Sequence, residues 1–519
     1  MRMKDGFDLK NEKSHRLSPN RNPWISLIPV AIGVFMVLLD VSILNVALPS
    51  ISQEFNAKAS DVQWILNAYL ITLVILLITF GKIGDMVRRN LLYATGMVVF
   101  TIGSYLCAES WSIGSFIAFR VIQAIGGAIM MGNSIALITE LFPLGKRGAA
   151  MGVNAILVAT AFSLGPILGG WLTTHLGWHW VFYINVPVGI VGITLGLLLL
   201  PSLGKRISEP IDLPGLVLLA MGLGFFTLGI IKGQDWGWDS EKTIASFIIS
   251  FPYIFAFAVR EVTYEYPLLD LRLFRIRNFT AGIAALFFIM MGVSTSLFLL
   301  PFFLQGIKGL TAEESGYWLV AIPIMNTVVA PVAGRLSDRI NPKIMMTLGP
   351  LIFATGLYLL SDLKVGVTFW ELTPVLSMLG IGLGMLMAPT LNVVMASIPI
   401  ERAGMTSGTI NTMNNLAQAM GIAFGGVLLT GKMNDLIPGY GNQLPNPGQM
   451  MILKYIAGLG ITSPLQGMVD AFMESLHHVF LSAIPFPLLG SFIILAFLQG
   501  KAHLDKVRQM RAKMAQIAM

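Results

Sequence analysis

Residues 25–48 read ISLIPVAIGVFMVLLDVSILNVAL. The run is apolar over the roughly 20 residues that a bilayer crossing requires, and its single charge is Asp40. The basic residues ahead of it suit a signal peptide, but its length and internal acid do not. It is expected to stay in the protein as a first membrane span. Thirteen further apolar segments follow, at 61–81, 91–109, 112–141, 149–174, 179–200, 212–231, 243–263, 279–305, 315–336, 344–361, 370–395, 402–430 and 478–499. Most are continuously apolar, without the two-residue alternation of a barrel strand. Helices are then the structure that pairs every backbone group within lipid.

Composition agrees with a polytopic membrane protein. Of the 519 residues, 55% are hydrophobic and 12% charged, about half the roughly 25% charge of a soluble domain. So low a charge excludes a disordered chain, and so much apolar surface is too much for a soluble core. Cys107 is the one cysteine, which excludes a disulfide scaffold and a cysteine-ligated metal.

The positive-inside rule sets the orientation. With the N-terminus inside and an even number of spans, 26 of the 34 Lys and Arg fall on the cytoplasmic side and 7 outside, and Arg120 alone lies within a span. Removing one span would reverse every later loop and spoil the bias. The net charge of +7 is therefore a topology signal, and no nucleic-acid partner is expected.

Two cytoplasmic connections resemble each other. Gly81-Lys-Ile-Gly84-Asp85-Met86-Val87-Arg88-Arg89 follows the second span, and Gly334-Arg335-Leu-Ser-Asp338-Arg339-Ile-Asn-Pro-Lys343 follows the tenth. Both place glycine four residues before aspartate, with basic residues after. Gly169-Gly170 and Gly425-Gly426 repeat at nearly the same offset, which suggests a duplicated half. Six spans per half leave two over, and 212–231 with 243–263 lie between the halves.

With these features the chain resembles the major facilitator superfamily, and within it the 14-helix drug–proton antiporters of the EmrB/QacA type. Leu39-Asp40-Val41-Ser42-Ile43-Leu44-Asn45-Val46-Ala47-Leu48-Pro49 matches that group's first-helix signature, with Ser42 where Thr is usual. The Gly81–Arg89 stretch is the superfamily's Gly-x-x-x-Asp motif, with Met86 in place of a basic residue and Arg88 in place of Gly. Arg120-Val-Ile-Gln123-Ala-Ile-Gly126-Gly127 is similar to its conserved-arginine motif. Gly152, Ala161 (Gly is usual) and Gly165-Pro166-Ile-Leu-Gly169-Gly170 resemble the fifth-helix motif associated with exporters.

The resemblance implies an all-α fold of two six-helix bundles plus two extra central helices, 14 transmembrane helices in all, with both termini cytoplasmic. The expected divisions are a tail at 1–24, bundles at 25–200 and 279–500, the extra helices and linkers at 201–278, an outer loop at 432–477 and a tail at 501–519. It also implies a monomeric, multi-pass transporter of the inner or plasma membrane, exporting hydrophobic or cationic compounds in exchange for protons. Its partners would be a small hydrophobic substrate, protons and membrane lipid, with no cofactor or metal. The same fold also suits a lipid, lysolipid or single-metabolite translocator, and a non-transporting sensor is the rival from another class.

Charges inside the membrane carry the chemistry. Asp40 and Arg120 are the deep acid and the deep base, and a mid-bilayer charge costs about 2.5–3.5 kcal/mol on insertion scales. Each lies eight residues from an expected outer helix end, about 12 Å deep. A shared cluster with Tyr69, flanked by Asn45 and Gln123, is expected, and Asn45, Tyr69 and Gln123 are expected to line the substrate cavity as well. Asp40 then either binds and releases a proton beside Arg120 or forms a permanent helix-orienting pair. Asn411, Asn414, Asn415 and Gln418 share one helical face, as a cavity wall or as interhelical glue. In the family, the acid matching Asp85 and Asp338 locks the halves on the cytoplasmic side. Gly81, Arg88, Arg89 and Arg339 belong to that lock, with an ordinary turn as the plainer alternative.

Other motifs fail. Gly426–Met433 nearly spells a P-loop but ends in Met and follows no strand. His175, His179, His477 and His478 have no HExxH pattern or cysteine partner. No hydrolase elbow is present, so no enzyme is expected.

Overall fold

The structure is a computed structural model that describes residues 22–55, 59–143, 146–201, 210–310, 312–399, 402–437 and 463–499. The tails at 1–21 and 500–519, and most of the expected outer loop, lie outside the described residues. No strand occurs among those described.

The first half comprises α1 (Pro23–Glu54), α2 (Ala59–Met86), α3 (Arg89–Ala108), α4 (Ile113–Leu141), α5 (Arg147–His175), α6 (His179–Tyr183) and α7 (Asn185–Leu199). Then come α8 (Leu213–Trp236) and α9 (Glu241–Thr263). The second half comprises α10 (Arg277–Pro301), α11 (Ala312–Leu319), α12 (Ala321–Arg339), α13 (Pro342–Ser361), α14 (Phe369–Ser397), α15 (Ala403–Leu436), α16 (Ser463–Ala483) and α17 (Pro485–Phe497). Among the described residues, thirteen segments are long and apolar enough to cross a membrane. The 29-residue α5 covers the remaining expected span.

Three spans are broken, and each break has the same cause. α6, α11 and α16 end at Tyr183, Leu319 and Ala483. Pro187, Pro323 and Pro487 each lie four residues later. Proline has no N–H for the carbonyl four residues back, so the helix yields at that carbonyl. Two expected boundaries need correction. The Gly81–Met86 stretch is the last turn of α2, and the outer loop placed at 432–477 is helical at both ends, to Leu436 and from Ser463.

Packing follows the repeat. α2 lies along α15, and α5 along α12 and α14, so two seams join the halves. A Cβ on Gly81 would stand 2.3 Å from the Gly404 carbonyl oxygen, and one on Gly334 would stand 2.1 Å from that of Gly148. One turn further in, Gly408 meets Leu77 and Ile78 while Gly152 meets Pro331. These glycines bring helix backbones together near the end that carries the basic residues. The α8–α9 pair lies outside the first seam: α8 packs on both α2 and α15, and α9 is the most exposed span. Between α9 and α10, Leu268, Leu269 and Leu273 are buried, and Glu261 accepts hydrogen bonds from the Leu268 and Leu269 N–H groups at 3.3 and 2.7 Å.

Candidate functional site

Asp40 on α1 and Arg120 on α4 meet as the matching depths require. The Arg120 Nη1 donates to the Asp40 Oδ2 at 2.6 Å and to the Gln123 Oε1 at 2.5 Å. The Gln123 Nε2 donates to the Asp40 Oδ1 at 2.8 Å and to the Ser104 hydroxyl at 2.6 Å. The Asn185 Nδ2 reaches the same Asp40 Oδ1 at 3.5 Å. The guanidinium carbon stands 4.2 Å from the centre of the Tyr69 ring, a cation–π arrangement. Asp40, Arg120, Tyr69 and Gln123 are all buried. Every partner comes from the first half.

Glycines make this convergence possible. A Cβ on Gly103 would stand 2.6 Å from the Gln123 Cα, and one on Gly126 would stand 2.3 Å from the Phe100 N. α3 therefore lies against α4 and brings Ser104 to Gln123. On the other side, Gly165 and Gly169 press α5 onto Ser42 and Ile43 of α1, at 2.0 and 2.6 Å from a notional Cβ. The Ser42 hydroxyl donates to the Ala161 carbonyl at 3.0 Å. The exporter-like motif thus braces α1 two residues beyond Asp40; Gly170 is partly buried, and the Pro166 side chain lies outside the described residues.

Aromatic rings roof the cluster on the outer side. Phe182 stands 5.7 Å from the Arg120 guanidinium, and Phe116 packs on Phe182 and Trp178 at 5.3 and 5.4 Å between centroids. The Trp178 indole donates to Glu54 at 2.6 Å.

A second buried charge cluster joins the halves. The Asp85 carboxylate accepts the Gly404 N–H at 2.7 Å and the Met405 N–H at 2.8 Å, capping α15 from α2. These amides are otherwise unsatisfied in a first helical turn and carry the positive end of the helix dipole. Arg89 pairs with both Asp85 and Glu140. Arg89 thus provides the partner, whereas Arg88 and Arg339 are exposed. The Asp338 side chain lies outside the described residues.

The amide stripe divides. Asn411 is buried and donates across the first seam to the Met131 carbonyl of α4 at 2.9 Å. Asn415 donates to the Asn411 carbonyl at 2.8 Å. Asn414, Asn415 and Gln418 are half-buried. Tyr69 and Gln123, expected in a cavity wall, have no exposed surface and belong to the ion-pair cluster; the Asn45 side chain lies outside the described residues. Sequence reasoning missed Glu140, Ser104 and Asn185. Glu140 carried a signal, as the one acid of its span; Ser104 and Asn185 carried none beyond being polar.

Two similar helical halves joined by two seams, with many helices of membrane-spanning length, suit a membrane transporter. The Major Facilitator Superfamily model matches residues 30–422, and the chain belongs to that superfamily. The riboflavin transporter RibZ of Clostridioides difficile is 35% identical over 410 residues, 78% of this chain and 88% of that protein. The tetracenomycin C resistance and export protein of Streptomyces glaucescens is 34% identical over 422 residues, 80% of this chain and 78% of that one. The multidrug transporter protein MdtP of Bacillus subtilis is 29% identical, covering 78% and 75%. Among solved structures, the human organic anion transporter MFSD10 superposes with a TM-score of 0.60 at 14% identity, over 91% of this chain and 99% of that one, which reflects the fold. The chain is accordingly a multi-pass plasma-membrane transporter of small substrates.

Proposed function

We propose that the chain is a proton-coupled exporter of hydrophobic compounds, with 14 spans and two bundles that alternate access to the two sides of the membrane. The observation that carries this reading is the Asp40–Arg120 pair, the one deep acid held against the one deep base at 2.6 Å. Asp40 is the proton-binding group. Its present donors, Arg120, Gln123 and Asn185, suit the ionised carboxylate. A proton on Asp40 removes one charge of the pair and frees Arg120 to turn to other acceptors. That coupling links protonation to the arrangement of α1 against α4. The tetracenomycin and MdtP relatives support export of compounds of this kind.

Asp85, Arg89 and Glu140 serve as the conformational lock. They hold α2 on the first turn of α15, as the close glycine contacts do, and these contacts support a state closed on the cytoplasmic side. Substrate binds between the bundles near the midplane, where Asn414, Asn415 and Gln418 supply polar contacts. The complete burial of Asp40 favours a second reading, a permanent pair that orients α1 and α4.

Sealed vesicles with an imposed pH gradient test the proposal. Riboflavin movement is followed for wild type and Asp40→Asn. Gradient-driven movement that is lost in the variant is expected. Movement indifferent to the gradient overturns proton coupling, and gradient-driven movement retained by Asp40→Asn leaves the pair a structural brace.

A further inference from the structure

On α15, Gly404, Gly408, Asn411, Asn415 and Ile422 recur at the helical repeat and share one face. Near the basic end that face is sealed: Gly404 and Gly408 press on α2, and Asn411 bonds to α4. About three turns outward from Asn411, Ile422 on the same face is 43% exposed. That face meets the first half at the basic end and is uncovered at Ile422. The half-buried Asn414, Asn415 and Gln418 lie between the sealed and the uncovered stretches of α15.

The chemistry of that wall is specific. Asn415 spends its N–H on the Asn411 carbonyl, and the buried Asn414 Oδ1 accepts no hydrogen bond from any described residue. Buried acceptors left without donors are costly, and a ligand N–H or O–H would satisfy this one. No free carboxylate accompanies the amides. Between residues 279 and 430 the acids are Glu313, Glu314, Asp338, Asp362, Glu371 and Glu401, all at or beyond helix ends. Asp40 is enclosed by partners of the first half. A permanent cation would therefore lose its hydration without gaining a counter-charge. On α5, which meets α12 as α15 meets α2, the positions corresponding to Asn411 and Asn414 are Ala155 and Val158. One wall is amide and the other aliphatic.

Resting on the export reading, we infer that this transporter selects uncharged amphiphiles with one N–H- or O–H-bearing edge and one apolar face, and that Asn414, Asn415 and Gln418 are its specificity-determining residues. Permanent cations are poor ligands.

Binding to the purified full-length chain, read by tryptophan fluorescence, tests this independently of transport. The probes are lumichrome and a dihydroxyanthraquinone, both neutral, against ethidium and tetraphenylphosphonium. The neutral pair is expected to bind about tenfold more tightly, the upper end of what a single neutral hydrogen bond confers. Asn414→Leu should weaken lumichrome binding by a similar factor, and Gln418→Glu should create tetraphenylphosphonium binding. That gain cannot come from misfolding. Equal or tighter binding of the cations, no binding of either neutral probe, or lumichrome binding unmoved by Asn414→Leu overturns the inference. Loss of gradient-driven transport with the binding pattern intact would instead overturn the export reading alone.

Discussion

Two buried arginine–carboxylate clusters among the described residues differ in what they join. Asp40, Arg120, Gln123 and Asn185 belong to helices of one half. Asp85, Arg89 and Glu140 hold a helix of the first half to the first turn of a helix of the second. A cluster inside one bundle can persist while the bundles rock, so only a change in its own charge alters it. A cluster across bundles must break whenever the seam opens. In the proposed function the first serves chemistry and the second conformation, although both are built on an arginine and an aspartate.

The sharpest way to break this comparison is to neutralise one acid in each cluster. Asp40→Asn is expected to reduce gradient-driven transport in vesicles to the level of empty vesicles, without moving the bundles. Spin labels at the exposed Val87 and Ile340, one at the basic end of each half, should report unchanged distances. Arg120→Leu strands the Asp40 carboxylate in the interior and should cost about 3–5 kcal/mol, read as a lower midpoint of thermal unfolding.

Asp85→Asn keeps the side-chain shape and weakens two charge-assisted bonds. It should shift the equilibrium toward the cytoplasm-open form by about 1–3 kcal/mol, lengthening the Val87–Ile340 distance in a resolved fraction of molecules. An unchanged distance would show that glycine packing alone holds the seam. Gly81→Ala and Gly334→Ala compare the two seams directly, since each adds a Cβ within 2.3 and 2.1 Å of a backbone oxygen. Both should open the same distance. The smallest effect is expected from Asn411→Ala, which removes one inter-half bond worth about 0.6 kcal/mol.

The fold was legible in the sequence because membrane helices announce themselves by length and by the placement of Lys and Arg. The meeting of Asp40 and Arg120 was legible for the same reason: an unpaired mid-bilayer charge is expensive, and two charges at one depth have few other solutions. Boundaries were less legible. Gly81–Met86 contains two glycines and polar residues, yet it stays helical because α15 supplies partners and close packing. Glu140 was overlooked since an acid at a helix end is ordinary until Arg89 is found beside it. Polarity within a span suggests a cavity wall for Tyr69 and Gln123. The close approach of α3 to α4 through Gly103 and Gly126, a tertiary fact, turns Gln123 toward Asp40 instead.

The central claim is that Asp40 takes up and releases a proton. Infrared difference spectra of the purified chain, recorded between mildly alkaline and mildly acidic solution, test it directly. The account predicts a protonated-carboxyl stretch that is present in wild type and Asp85→Asn and missing in Asp40→Asn. An identical band in all three proteins would contradict it.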